Sequence, residues 1–300
     1  MAAARVPSTD LPRVVETLEM IAPRWSVWVL MTLAAETQPM RYSEVNASLP
    51  WLVDGQLTPR LRALSNAGLI ERTAFSRKHV TYGLTDRGRA LLPALEALAA
   101  YGDQHLDKQL VETKVTKNGT TQVEMLPERI PAAQNAEDAL ALISYKHATP
   151  LLWALKERGP STMAALHQET MPDLSVAAVY HPVYKLSEDR LVTITPEVGA
   201  DKDTLNTARI TLTAAARSLA PVYQAVAAWA TGRPHADAGH HPLWGTVRLP
   251  AAVRSGQWAA HQARHTMRTA VPVAQPPAPA AAKTWQPADL FSSPTTGPCR

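Results

Sequence analysis

Three groups of side chains in the first eighty residues have the types and spacing to grip a polyanion. Gln56, Thr58, Arg60 and Arg62 alternate with Leu57, Leu61 and Leu64, and the helical spacing of those leucines predicts that the polar four face outward. Guanidinium forks at Arg60 and Arg62 can pair with guanine edges or phosphate oxygens, and the Thr58 hydroxyl can contact a base or a phosphate. Arg77, Lys78 and His79 fall at the tip between two strand-like runs. They are placed to reach a neighbouring backbone or minor groove, which supplies affinity more than sequence selection. Arg41, Tyr42 and Ser43 stand where a short helix should begin, and backbone amides there can hold a phosphate. The competing reading of all three groups is solvated polar surface on a near-neutral domain.

Other chemistry is poorly supported. The chain has no Gly-rich phosphate loop, no Gly-x-Ser-x-Gly and no His-Glu-x-x-His, so no catalytic residues, cofactor or metal are expected. The one cysteine, Cys299, is penultimate, which argues against an internal disulfide, a Cys-based zinc site or a buried catalytic thiol. No apolar run approaches the roughly 20 residues of a membrane span, and Met1 to Asp10 does not read as a signal peptide. A cytoplasmic, non-membrane protein is the expectation. Net charge is +4 with a pI near 9.2. Residues 233–300 hold seven Lys or Arg against Asp237 and Asp289, so the rest of the chain is close to neutral. Bulk charge therefore decides little, and the position of each basic group decides more.

The elements that must position these groups follow from periodicity and punctuation. Val14, Leu18, Ile21 and Trp25 form a helical stripe with Pro12 in its first turn, and a second helix from about Arg24 to Ala35 turns Val27, Leu30, Met31 and Leu33 inward. A short helix opens around Met40 to Glu44, with Ser43 as a candidate cap, and stops before Pro50. The next helix spans about Asp54 to Asn66 and closes at Ala67-Gly68. Pro59 conflicts with a start at Asp54, because a proline beyond the first turn removes a hydrogen bond. Either the helix starts late, with Thr58 as cap and Pro59 first, or it bends near Gly55. Glu71 to Ala74 and Val80 to Leu84 alternate as two strands, and Thr85-Asp86 caps a last helix lined by Leu91, Leu95, Leu98 and Tyr101.

The ordered set Arg24-Trp25, Arg41-Tyr42-Ser43-Glu44, Leu49-Pro50, Leu57-Thr58, Arg60-Leu61-Arg62, Leu64, Gly68-Leu69, Glu71-Arg72, Tyr82, Leu84-Thr85, Gly88 and Leu91-Leu92-Pro93 resembles the HxlR-type regulators. These are a branch of the MarR-like winged-helix proteins. The resemblance covers about 80 residues and implies a dimeric regulator that binds double-stranded DNA, with its recognition helix in the major groove. Two departures stand out: Val53-Asp54-Gly55 replaces the small polar or basic residues that usually open that helix, and Pro59 lies within it.

The chain also repeats itself. Ile21, Trp25, Leu30 and Leu33 match Ile143, His147, Leu152 and Leu155 at an offset of 122, and Leu57, Leu61, Leu64 and Leu69 match Val179, Val183, Leu186 and Leu191. After an insertion of about six residues, Leu84-Thr85 matches Leu212-Thr213 and Pro93 matches Pro221. The expected fold is therefore mainly α with small β-hairpins (α+β): two tandem winged helix-turn-helix domains and a disordered tail. Residues 1–111 form the first domain, 112–135 a linker able to form a hairpin, 136–232 a worn second domain, and 233–300 a Pro- and Ala-rich basic tail. The second copy puts Tyr180, Pro182 and Tyr184 against Thr58, Arg60 and Arg62. Tyr180, His181, Tyr184 and Lys185 remain able to stack or hydrogen-bond there.

Terminal helix stripes would pair either two chains as a homodimer or the two halves of one chain as a pseudo-dimer. The ten prolines of the tail argue for disorder, with a protein partner as a further expectation. Sequence-specific transcription regulation is the leading reading. A non-catalytic interaction scaffold that keeps the fold without binding DNA is the alternative.

Overall fold

The computed structural model describes residues 10–76, 79–117, 120–196 and 207–235. Arg77 and Lys78, residues 197–206 and the Pro- and Ala-rich stretch beyond residue 235 lie outside them.

Helices α1 (Leu11–Ile21) and α2 (Ser26–Ala35) are joined by a tight turn in which Trp25 takes φ 75°. Met40–Arg41 forms a short strand, β1, before α3 (Tyr42–Ser48). Ser43 therefore lies inside α3 and does not cap it. Arg41 is the N-cap residue, and its backbone N–H donates to the Glu44 carboxylate at 2.6 Å. Glu44 satisfies one of the donors that a helix start leaves orphaned.

The next helix, α4 (Asp54–Asn66), begins at Asp54 and carries Pro59 in its interior, so the late start is incorrect. Gln56 and Leu57 donate to the Val53 carbonyl at 2.8 and 3.1 Å, closing a first turn ahead of the proline. Pro59 would have bonded to Gly55, which lies on the exposed face, where a missing partner costs less than in a core. Gly68, at φ 69°, ends α4: Leu69 N–H reaches the Leu64 carbonyl and Gly68 N–H the Ser65 carbonyl, each at 3.0 Å. This is a Schellman closure, which needs a left-handed residue where glycine sits.

Strands β2 (Ile70–Ser76) and β3 (His79–Leu84) pair antiparallel, and β1 adds to the free side of β3. Thr85 caps α5 (Asp86–His105), accepting from Gly88 N–H at 3.0 Å. Its hydroxyl donates to the Gly68 carbonyl at 2.7 Å, tying the helix start to the end of α4. A two-stranded hairpin follows, β4 (Leu110–Lys117) against β5 (Thr120–Pro127).

The remaining elements take a similar order: α6 (Ala132–Ser144), α7 (Ala148–Arg158), α8 (Met163–Thr170), α9 (Ala177–Glu188), β6 (Val192–Thr195), β7 (Arg209–Leu212), α10 (Ala214–Arg217) and α11 (Ala220–Ala230). Local geometry recurs with the order. His147 takes φ 71° before α7, as Trp25 does before α2, and Arg190 takes φ 57° after α9, as Gly68 does after α4. Thr213 accepts from Ala216 N–H at 3.1 Å and donates to the Arg190 carbonyl at 2.8 Å, reproducing the bonds of Thr85. One difference is plain: α5 runs unbroken through Pro93, whereas α10 and α11 divide just before Pro221.

One apolar core joins both halves. It includes Val14, Leu18 and Ile21 of α1, Leu91, Leu95 and Leu98 of α5, Ala139, Leu140 and Ile143 of α6, and Val222 and Val226 of α11. Helix α5 packs along α6 and α11, while α1 packs on α11 and α6. Gly102 lets α5 approach the main chain of α6 at Asn135. Among the described residues, no helix is long and apolar enough to cross a membrane, and no group of three potential metal ligands is present.

Candidate nucleic-acid interface

Helix α4 buries Leu57, Leu61 and Leu64 and turns Gln56, Thr58 and Arg62 to the surface. Thr58 and Arg62 are four residues apart and share a face. Arg60 does not join them, contrary to the expectation that both arginines lie on one exposed side. Residues two apart on a helix point in divergent directions, and Arg60 is half-buried with its Nε enclosed and unpartnered. Burial lowers the Arg60 pKa, and the carboxylate of Glu137 in α6 counters that shift. Part of the Arg60 charge is thus directed toward the other half of the chain.

Tyr42 links α3 to α4. Its phenol donates to Asp54 Oδ1 at 2.7 Å, and with that proton committed the Thr58 hydroxyl, 3.2 Å away, donates to the phenol oxygen. Burial pushes the Tyr42 phenol pKa up, the Thr58 bond pulls it down, and the Asp54 carboxylate pushes it up again. Asp54 therefore holds Tyr42 and, as the first residue of α4, sits favourably at the positive end of the helix dipole. Arg41 and Ser43 are exposed, but the Glu44 carboxylate already occupies the start of α3.

On the wing, His79 is half-buried and meets Phe75 edge to face at 5.2 Å. Phe75 is 70% exposed, and an aromatic side chain between Ala74 and Ser76 at the end of an alternating strand was its only sequence signal. In the second half, Tyr180 and Tyr184 stack at 6.4 Å on α9, with His181 and Tyr184 exposed. Lys185 pairs with Asp189 at 2.9 Å, and the Tyr145 hydroxyl donates to the Pro182 carbonyl at 3.3 Å.

A feature not anticipated from sequence lies beside this surface. Trp25, Trp28 and Trp51 line a cleft of about 1150 Å³ together with Glu128, Glu137, Asp138, Arg24 and Arg129. Trp28 and Trp51 meet edge to face at 5.0 Å, and the Arg24 guanidinium lies 4.4 Å above the Trp25 ring. Trp25 N–H donates to Glu137 Oε1 at 2.5 Å. Burial raises the Glu137 pKa, which the Trp25 hydrogen bond and the Arg24 charge partly offset. Trp25 and Glu137 are 112 positions apart, so no local pattern joins these residues.

A three-helix core with a recognition-type helix, a Schellman turn and a β-hairpin wing defines a winged helix-turn-helix protein. The chain belongs to the HxlR-like helix-turn-helix family, whose pattern matches residues 20–110. It is 34% identical over 88 residues to the uncharacterized HTH-type transcriptional regulator YdzF of Bacillus subtilis, covering 29% of this chain and 80% of that protein. It is also 34% identical over 87 residues to an uncharacterized HTH-type transcriptional regulator of Methanothermobacter thermautotrophicus, covering 28% of this chain and 65% of the relative. A third relative, the uncharacterized regulator YvaP of Bacillus subtilis, is 28% identical over 103 residues, covering 34% of this chain and 94% of its own. No solved structure matches the chain.

Proposed function

We propose that this chain is a non-catalytic, DNA-binding transcription regulator in which the first helix-turn-helix reads duplex DNA and the second half is its built-in partner. The observation that carries the reading is the outward face of α4, where Gln56, Thr58 and Arg62 stand opposite the buried leucines. In the major groove, Arg62 is the main base or phosphate contact and Thr58, steadied by Tyr42, the second. Arg60 flanks them and contributes long-range charge. Arg41, Tyr42 and Ser43 approach the backbone at the start of α3, while His79, with Arg77 and Lys78 outside the described residues, serves the wing.

The helix packing supports the partner role. Exchanging α1 with α6 and α5 with α11 turns the α5–α6 contact into the α11–α1 contact and leaves α5–α11 and α1–α6 unchanged, and all four contacts occur. These four contacts support reading the terminal helices as a twofold pair made within one chain, with residues 136–232 as a worn winged helix. On α9, Tyr180, His181, Tyr184 and Lys185 offer stacking and hydrogen bonds without a free arginine pair.

Selection of genomic fragments with purified protein, followed by anisotropy titration at several salt concentrations, tests the reading. Binding should weaken steeply with salt. Arg62→Ala should cost about 1–3 kcal/mol and lower the salt slope by about one, with Arg60→Ala costing less. Absence of salt-sensitive duplex binding, or binding unchanged by Arg62→Ala, would instead favour a scaffold that keeps the fold without DNA.

A further inference from the structure

We propose that the tryptophan-lined cleft between α2, the turn after α3 and α6 is a binding site for a lipophilic monovalent cation of the quaternary ammonium or phosphonium type. Three observations combine. Trp28 and Trp51 meet edge to face, with rings 74° apart; Trp28 is buried and Trp51 is 45% exposed, so the Trp51 indole, backed by Trp28, is the aromatic surface available. Electron-rich indole faces attract cations within about 6 Å of the ring centroid, tryptophan most strongly. Glu128, Glu137 and Asp138 line the same cleft with Arg24 and Arg129, three carboxylates against two guanidiniums, and the half-buried Glu137 offers a charge weakly screened by solvent. The cleft already holds one cation in this manner: Arg24 lies over Trp25 and acts electrostatically on both Glu137 and Asp138.

The internal repeat supplies a comparison within the same molecule. At the offset of 122, Trp25, Trp28 and Trp51 become His147, Pro150 and Asp173, and Glu137 becomes Val15. The matching place, lined by Val15, Glu19, His147 and Pro150 among others, keeps a void of only about 10 Å³. Trp25, Trp28, Trp51 and Glu137 thus all fall on the open side. A volume of about 1150 Å³ accommodates a ligand of several rings. Because Trp51 lies three residues before α4 and Glu137 acts on Arg60, an occupant would also bias the recognition helix. That consequence, unlike the binding itself, rests on the DNA-reading proposal.

The test needs no DNA. Full-length protein is titrated with tetraphenylphosphonium, and with tetraphenylborate as a probe of the same shape and opposite charge, by equilibrium dialysis and tryptophan fluorescence. Saturable phosphonium binding is expected. Glu137→Gln, whose amide oxygen can still accept from Trp25, should weaken it by about tenfold, one lost charge-assisted contact. Trp51→Ala, at a half-exposed site, should weaken it comparably while circular dichroism stays unchanged. The proposal is overturned if phosphonium does not bind saturably, if either variant leaves its affinity unchanged, or if tetraphenylborate binds as tightly in a Trp51-dependent way.

Discussion

Gly102→Ala is expected to destabilise the protein although alanine is the better helix former. Gly102 lies in α5, and a Cβ built there would sit 2.3 Å from the Asn135 carbonyl oxygen, 2.8 Å from its carbon and 3.0 Å from its Cα. All three atoms are main chain, so no side-chain rotation relieves the clash, and α6 must retreat by about 1 Å to restore contact distance. Overpacking of this kind costs about 1–3 kcal/mol, and the clash with main chain places Gly102 toward the upper end. Gained helix propensity offsets about 1 kcal/mol, leaving a net loss of about 2 kcal/mol. At about 2–4 °C for each kcal/mol in a chain of this size, Tm should fall by about 4–8 °C. Gly55→Ala provides the opposite control: it is exposed on α4 with nothing within 4 Å of an added Cβ, and should gain up to about 1 kcal/mol. Urea unfolding and calorimetry measure both. A Gly102→Ala protein as stable as the parent, with Gly55→Ala stabilised, would refute the close α5–α6 packing that joins the halves.

Stability should fall in alkali. Burial pushes the Tyr101 phenol up to about 12 and raises those of Tyr145 and Tyr223 as well, whereas an unfolded tyrosine ionises near 10. The unfolded chain therefore binds fewer protons above pH ~10, and stability that is complete below that pH is lost as pH rises toward ~12. Unfolding free energy that stays flat across this window, or a slope unchanged in Tyr101→Phe, would contradict the burial. Trp229→Phe should cost about 1 kcal/mol in thermal unfolding, because the indole N–H donates to the Arg87 carbonyl at 2.9 Å and the Arg87 guanidinium lies 4.8 Å from the ring. An unchanged Tm would remove that contact from the joint between α5 and α11.

Much of this frame was legible in the chain because local rules govern it. Leucine spacing and Ala67-Gly68 define α4, Thr85 announces α5, and the constant offset pairs Trp25 with His147, though the left-handed turn that both adopt was not legible in a stripe that read Trp25 as helical. What escaped depended on geometry across distance. The orientation of Arg60 follows from the 200° swing of two helical steps and from Glu137, a residue of the other half. Glu44 displaced Ser43 as the agent at the start of α3 because a carboxylate three residues in can reach back to the Arg41 amide. Pro59 stayed inside α4 because its lost hydrogen bond falls on the exposed side. The tryptophan cleft needed α6 to be brought against α2, which no periodicity encodes.

The central claim, that one chain supplies both halves of a DNA-binding pair, is tested most directly by the mass of the complex. Multi-angle scattering or mass photometry of the 32.6 kDa chain on a selected duplex should give one chain per site, with free protein also monomeric. Two chains per site, or a free dimer that dissociates on Gly102→Ala, would mean that the terminal helices pair between molecules and that the built-in partner does not exist.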